Sequence, residues 1–158
     1  MFAKAYCDKY LAPENSSNAV EYADNDLSQQ LAMVARMIKG NLGTKVYMVT
    51  VGGFDTHANQ EEEHQTILNS LSSAVKLFFD DLGETGQDQH VLAMTFSELG
   101  RRAFENGSQG TDHGAAAPIL FFGPAPEDQG FAGTHPNLNT LNANGSLIHH
   151  IDFAYFFI

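Results

Sequence analysis

Gly110-Thr111-Asp112-His113-Gly114-Ala115-Ala116-Ala117-Pro118-Ile119-Leu120-Phe121-Phe122-Gly123-Pro124 runs from a glycine-flanked Asp-His pair straight into an apolar stretch. Ile119 to Phe122 reads as a buried strand. That order places a candidate metal ligand at the edge of a sheet, where open α/β folds keep their sites. A second cluster, Gly52-Gly53-Phe54-Asp55-Thr56-His57, follows another β-rich run, Val46 to Val51. Two separate Asp/His clusters at strand ends point to a composite metal centre.

The elements between these clusters set the fold class. Asp26 is a candidate N-cap for a helix with apolar positions Leu27, Leu31, Val34, Ala35 and Ile38, closed by Gly40. Ile67, Leu68, Leu71, Val75, Phe78, Phe79 and Leu82 make one stripe at helical spacing. Glu61, Glu62 and Glu63 fall in the first turn of that helix, where its dipole favours anions, and Gly83 ends it. Val91 to Phe96 is a further strand, and Asn106 to Gly114 is a polar, glycine-rich loop. After Pro124 the chain is loop-like to about Ile148. The alternation predicts an α/β fold with a mostly parallel sheet. Residues 1–25, with Pro13 and an Asn/Ser stretch, read as a poorly specified lead-in.

Composition narrows the function. A chain of 158 residues fits one domain with a real core. Nineteen acids against 8 bases give a net charge of −11, so nucleic-acid binding is not expected. The acidity serves solubility or cation binding. Cys7 is the only cysteine, which excludes an internal disulfide and a cysteine-rich zinc site. No run reaches the roughly 18 apolar residues of a membrane span. Met1 to Tyr10 has no apolar signal core. Asp152 to Ile158 is aromatic and apolar and stops without a polar tail, so the chain reads as a fragment or as having a mistranslated end.

Each candidate residue has a chemical reading and a plainer one. Asp55 and His57 are two apart, and in extended chain such side chains share a face. They meet one divalent ion or stiffen a loop by hydrogen bonding, with Gly52 and Gly53 allowing a sharp turn. Glu98, at a strand end, points into the crevice or pairs with Arg101 or Arg102. His113 is a ligand oriented by Asp112, or a loop histidine satisfied by it. Arg101 and Arg102 are a fork for phosphate or sulfate, or surface cations. His64 lies on the apolar side of its helix, as a packed residue or a support behind the ligands. His135 is a weaker candidate, and His90, His149 and His150 read as surface. Thr95 and Ser97 have no base to activate them. No Walker loop, dinucleotide fingerprint or Gly-x-Ser-x-Gly elbow is present.

Three strings together carry a resemblance: Gly52-Gly-Phe-Asp-Thr-His-Ala-Asn-Gln60, Met94-Thr-Phe-Ser-Glu-Leu-Gly-Arg-Arg102 and Gly110-Thr-Asp-His-Gly114. They resemble the secreted bacterial domain-of-unknown-function family fifteen-oh-one, over about Val46 to Phe153. That family looks related to the alkaline phosphatase and sulfatase superfamily. The resemblance implies a three-layer sandwich of which this chain is the C-terminal half, residues 1–158 forming a single partial domain. Asp55 and His57 resemble an Asp-then-His ligand pair, though with a shorter gap. Glu98 stands where a later Asp ligand would be, but Leu99 replaces its histidine partner. Gly110 to His113 repeats the Gly-Thr-Asp-His of phosphopentomutases, which makes His113 the late ligand.

The implied parent is a periplasmic or secreted hydrolase of small anionic phosphate or sulfate esters. It would depend on a divalent metal, zinc or manganese before calcium or magnesium. The ligands here would be Asp55, His57, Glu98 and His113, supported by Asp112 and His64, with Arg101 on the anion. The early Asp ligand and the nucleophile of the superfamily have no counterpart in this chain, and neither does an export signal. The fragment is therefore expected to be inactive alone. The alternatives are a secreted or surface binding protein that keeps the fold without catalysis, and a non-functional product.

Overall fold

The computed structural model describes residues 16–124, 130–131 and 133–152. The chain forms two units. One takes residues up to Gly52 together with Thr66–Leu92, and the other takes Gly53–Gln65 and everything from Ala93 onward. The expected C-terminal aromatic element at 153–158 and the first fifteen residues lie outside the described residues.

In the first unit, helix α1 spans Asp26–Lys39. The cap is Asn25, not the expected Asp26: its extended backbone lets the side chain accept from Ser28 N at 3.0 Å. Asn and Asp cap equally well, so backbone geometry decides between neighbours. Asp26 instead sits in the first turn, and Arg36 and Lys39 sit in the last, each favourable to the helix dipole. Gly40 closes the helix in right-handed geometry, and Asn41 takes the left-handed turn at φ 52°. Leu27, Leu31, Val34 and Ala35 are buried, on the stripe the spacing predicts.

Helix α2 spans Gln60–Gly83. Its buried stripe is Leu71, Ala74, Phe78 and Leu82, spaced three and four apart. Leu68 is 40% exposed, so the inward face is narrower than the apolar sequence suggests.

Asp81, also buried, organises this unit. Its carboxylate accepts from Ala19 N at 2.6 Å, Asn18 Nδ2 at 2.8 Å, Lys39 Nζ at 2.7 Å and the Tyr22 hydroxyl at 3.2 Å. Lys39 also donates to the Ser17 carbonyl at 2.7 Å. Residues 17–22 of the expected lead-in are therefore anchored, by polar side chains that give no periodic signal. Burial pushes the Asp81 carboxyl up, but donors from Asn18, Lys39 and Ala19 outweigh it and hold it below its ordinary range. The Tyr22 hydroxyl is pushed up by burial and by the neighbouring Asp81 charge.

Val46 to Val51 forms no strand among the described residues; Val46 is 82% and Met48 76% exposed. The Gln30 side-chain amide stands in for a partner strand, accepting from Thr50 N at 2.9 Å and donating to Thr50 O at 3.0 Å. β-propensity needs a neighbour to pair with, and here one amide replaces it.

In the second unit the strands are short. β1 (Ala93–Met94) pairs antiparallel with β4 (Phe121–Phe122), and β2 (Gly100–Glu105) with β3 (Thr111–Gly114). The strands expected over Val91–Phe96 and Ile119–Phe122 are thus realised only in part. The last four residues of the expected loop form β3. Where the sequence leads to a mostly parallel sheet, the described pairs are antiparallel ribbons. In the second ribbon Arg101 lies opposite His113, Gly100 opposite Gly114 and Glu105 opposite Thr111, with a bulge between Arg101 and Glu105. No helix among the described residues is long and apolar enough to cross a membrane.

The Asp81 hub gives a stability prediction. Asp81→Ala strands the Lys39 ammonium and the Ala19 N–H, and should cost about 3–5 kcal/mol in urea denaturation at pH 7. The folded carboxyl titrates below its unfolded value of about 3.9, so its contribution is complete above that pH. The gap between wild type and variant should therefore close as pH falls below about 4. A constant gap down to pH 2 would contradict this assignment.

Candidate metal centre

The site is built wholly within the second unit. Gly53 takes φ 94°, a left-handed turn open to glycine, and leads into Phe54-Asp55-Thr56-His57. Thr56 is buried between the exposed Asp55 and His57, so the two flanking residues share the outer side. His57 N also donates to Asp55 O at 3.1 Å, folding the backbone so that both side chains reach one point.

The 106–110 connection holds that segment against the ribbon. Thr111 N donates to Thr56 O at 3.2 Å, Asn59 N to Ser108 O at 3.1 Å and Gln60 N to Gln109 O at 2.9 Å. Gly110 is buried, and a Cβ there would meet the His57 carbonyl and Ala58 N far inside van der Waals contact. Gly114 is pressed in the same way on the backbone of Arg101 and Arg102, and Gly100 on Ala116. The glycines flanking Asp112-His113 therefore serve close backbone approach.

Three ligand atoms converge. His113 Nε2 lies 2.8 Å from Asp55 Oδ1, His57 Nε2 lies 3.0 Å from the same oxygen, and the two Nε2 atoms are 3.1 Å apart. Among the described residues these three are the one group of His, Cys, Asp and Glu side chains able to hold a metal ion. Their separations come close to the roughly 3 to 3.5 Å expected between ligand atoms of an ion bonded at about 2.1 Å. The donor set is also chemically apt. A carboxylate oxygen only accepts, and a neutral imidazole nitrogen accepts when the ring's proton sits on its other nitrogen, so all three atoms can present lone pairs to one ion. Such a triangle is favoured by a cation.

One cation is already beside it. Arg101 Nη1 donates to Asp55 Oδ1 at 2.7 Å. Its Nε donates to Thr111 Oγ1 at 3.0 Å, and Nη2 donates to the Thr111 carbonyl. Hydrogen bonds from His113 and then Arg101 hold the Asp55 carboxyl down to about 2. Asp55 is therefore a carboxylate at any physiological pH.

The remaining candidates fall differently. Glu98 is exposed on the bend before β2 and outside the triad, and Arg101 pairs with Asp55 in its place. Arg102 is exposed and acts on Asp112 only through its charge. His64 packs edge-on against Phe54, with ring centroids 5.8 Å apart, and so braces the residue before Asp55. His135 bonds the Pro136 carbonyl at 2.8 Å. His90, His149 and His150 are exposed. Asp112 does not support the ring of His113, since adjacent strand residues point to opposite faces. It faces His57 instead, with Oδ1 3.5 Å from Nδ1. Hydrogen bonding from Asn106, and then from His57, holds the Asp112 carboxyl below its ordinary range.

Asn106 is the residue the sequence did not mark. Its Nδ2 donates to the His57 carbonyl at 2.9 Å and to Asp112 Oδ1 at 3.2 Å. Its Oδ1 accepts from Ser108 N at 2.9 Å and Gly110 N at 3.1 Å. Its position just before a Gly-Ser turn was the available signal, since Asn readily bonds local backbone there.

With this geometry in hand, the family is clear: the chain belongs to the family described as protein of unknown function (DUF1501), whose model matches residues 4–144. That span contains every residue of the centre. Comparison with curated proteins gave no match, and comparison with solved structures gave none.

Two outcomes follow from the geometry. Gly110→Ala should push the His57 backbone away at an overpacking cost of about 1–3 kcal/mol, read as a lowered melting temperature. An unchanged melt would contradict the close approach. Arg101→Met should raise the Asp55 pKa from about 2 toward the ordinary carboxylate range, read by carboxyl-carbon NMR titration. An unmoved Asp55 would mean that Arg101 does not hold it.

Proposed function

We propose that Asp55, His57 and His113 hold a divalent metal, zinc or manganese, as part of the centre of a phosphate- or sulfate-ester hydrolase for which this chain supplies metal ligands but not the nucleophile. The carrying observation is the convergence of one carboxylate oxygen and two imidazole nitrogens about 3 Å apart from two separate segments. Mixed Asp/His ligation suits zinc or manganese better than calcium or magnesium. Three protein ligands also leave a coordination position open, as catalytic zinc sites do. When bound, the ion would supply polarisation of an ester oxygen and stabilisation of a nucleophile as its anion.

The chain's own residues do the rest. Asp55 stays ionised and anchors the triad, and Arg101 places a guanidinium where an anionic ester group would lie beside it. The resemblance to the alkaline phosphatase and sulfatase superfamily, with its three-layer α/β architecture, belongs to this proposal. So do the anionic ester substrate and the periplasmic or secreted setting. A binding protein without catalysis is the second reading. It is favoured by Leu99, which replaces a histidine of the superfamily pattern, and by the place of Glu98 outside the triad.

Calorimetric titration with Zn²⁺ and Mn²⁺ tests the metal. One equivalent should bind, His113→Ala should weaken binding at least about 100-fold, and His149→Ala should leave it intact. Binding should fade below about pH 6, because imidazoles titrate near 6.5 in general and protonation competes with the metal. Binding that survives His113→Ala would overturn the site. Hydrolysis also needs a positioned nucleophile, worth several kcal/mol of barrier. Among the described residues no hydroxyl or thiol hydrogen-bonds to the triad. Residues 1–158 should therefore bind metal with negligible turnover in a phosphate- and sulfate-ester screen. Turnover that persists in His113→Ala would sink both the site and the mechanism.

A further inference from the structure

We infer that Asp112 is a positioning residue for His57: held by Asn106, its carboxylate takes the Nδ1 proton of His57 and leaves the Nε2 lone pair facing Asp55 and His113. The inference rests on the metal reading above for its purpose, but its observable, the tautomer of His57, exists without any metal.

A neutral imidazole carries one N–H, and a carboxylate only accepts. His57 has a carboxylate oxygen near each ring nitrogen: Asp55 Oδ1 3.0 Å from Nε2 and Asp112 Oδ1 3.5 Å from Nδ1. Asp55 Oδ1 is already served, by Arg101 Nη1 at 2.7 Å and by His113 Nε2 at 2.8 Å. Of the two imidazole nitrogens beside Asp55 Oδ1, His113 Nε2 is the closer, at 2.8 Å against 3.0 Å for His57 Nε2, and we assign it the proton on that ground. His57 Nε2, 3.1 Å from it, is then the acceptor of that pair, because two N–H groups cannot face each other at this distance. The His57 proton is left on Nδ1, where Asp112 is the acceptor.

The acceptor is itself fixed. One Asn106 amide donates to Asp112 Oδ1 at 3.2 Å and to the His57 carbonyl at 2.9 Å, tying carboxylate and imidazole backbone to one point. Its oxygen is held by Ser108 N and Gly110 N, so the amide cannot turn over without losing all four contacts. A carboxylate behind a ligating histidine sets its tautomer and orientation, and removing such a partner costs about 10–100-fold in metal affinity. The 3.5 Å separation is long for a hydrogen bond, as such contacts often are before a ligand tightens the site.

Long-range ¹H–¹⁵N correlation spectra of the metal-free protein read the tautomer directly. His57 should carry its proton on Nδ1. Asp112→Leu, which removes the acceptor, should shift His57 toward the Nε2–H form, and Asp112→Asn, which keeps an uncharged and weaker acceptor oxygen, should shift it less. Zn²⁺ affinity should fall about 10–100-fold in both. A merely structural role would lower the melting temperature without moving the tautomer. His57 protonated on Nε2 in the wild type, or a tautomer unmoved by either variant, would overturn the inference. A tautomer shift in a protein that takes up no Zn²⁺ would uphold the role of Asp112 and remove the metal reading alone.

Discussion

The second unit depends on a backbone contact that leaves no room for a side chain. Gly110 lies against the carbonyl of His57, and Thr111 N bonds Thr56 O at 3.2 Å. That contact fixes the Asp55–His57 segment against the β2–β3 ribbon. The register of the ribbon then sets Arg101 opposite His113. Move the contact by an ångström and the triad, the Arg101 bond to Asp55 and the Asp112 approach to His57 all go with it. Close packing makes such a shift costly to absorb elsewhere.

The charge distribution follows from the same convergence. Asp55 Oδ1 meets two imidazoles and a guanidinium, so its carboxyl is held near 2 despite an exposed side chain. Exposure also means that salt and water screen these pairs. They are better suited to arranging ligands than to stabilising the fold. Stability in the first unit comes from elsewhere: from the buried stripes of α1 and α2, and from the fully satisfied Asp81 carboxylate.

Legibility in the sequence tracked local periodicity. Leu27, Leu31, Val34 and Ala35, and Leu71, Phe78 and Leu82, were readable as helix faces because 3.6-residue spacing is a local signal. Asp55, His57 and His113 were readable as candidates because carboxylate and imidazole are metal-ligand types and each group sits beside glycines. Strand extent was not readable, since β-rich runs such as Val46–Val51 need a partner that no local pattern names. Nor was pairing direction, because the bulged ribbon joins residues across a glycine-rich turn that looked like loop. Asn106 and the true partner of Asp112 escaped for the same reason. Their contacts span 49 and 55 residues of chain, and only the folded backbone brings them together.

The central claim is that one divalent ion belongs between Asp55, His57 and His113. Anomalous diffraction at the zinc edge, from crystals of the zinc-loaded protein, tests it most directly. The account predicts a single strong peak within bonding distance, about 2.0–2.2 Å, of Asp55 Oδ1, His57 Nε2 and His113 Nε2. A peak on other histidines with none at this triangle would contradict it.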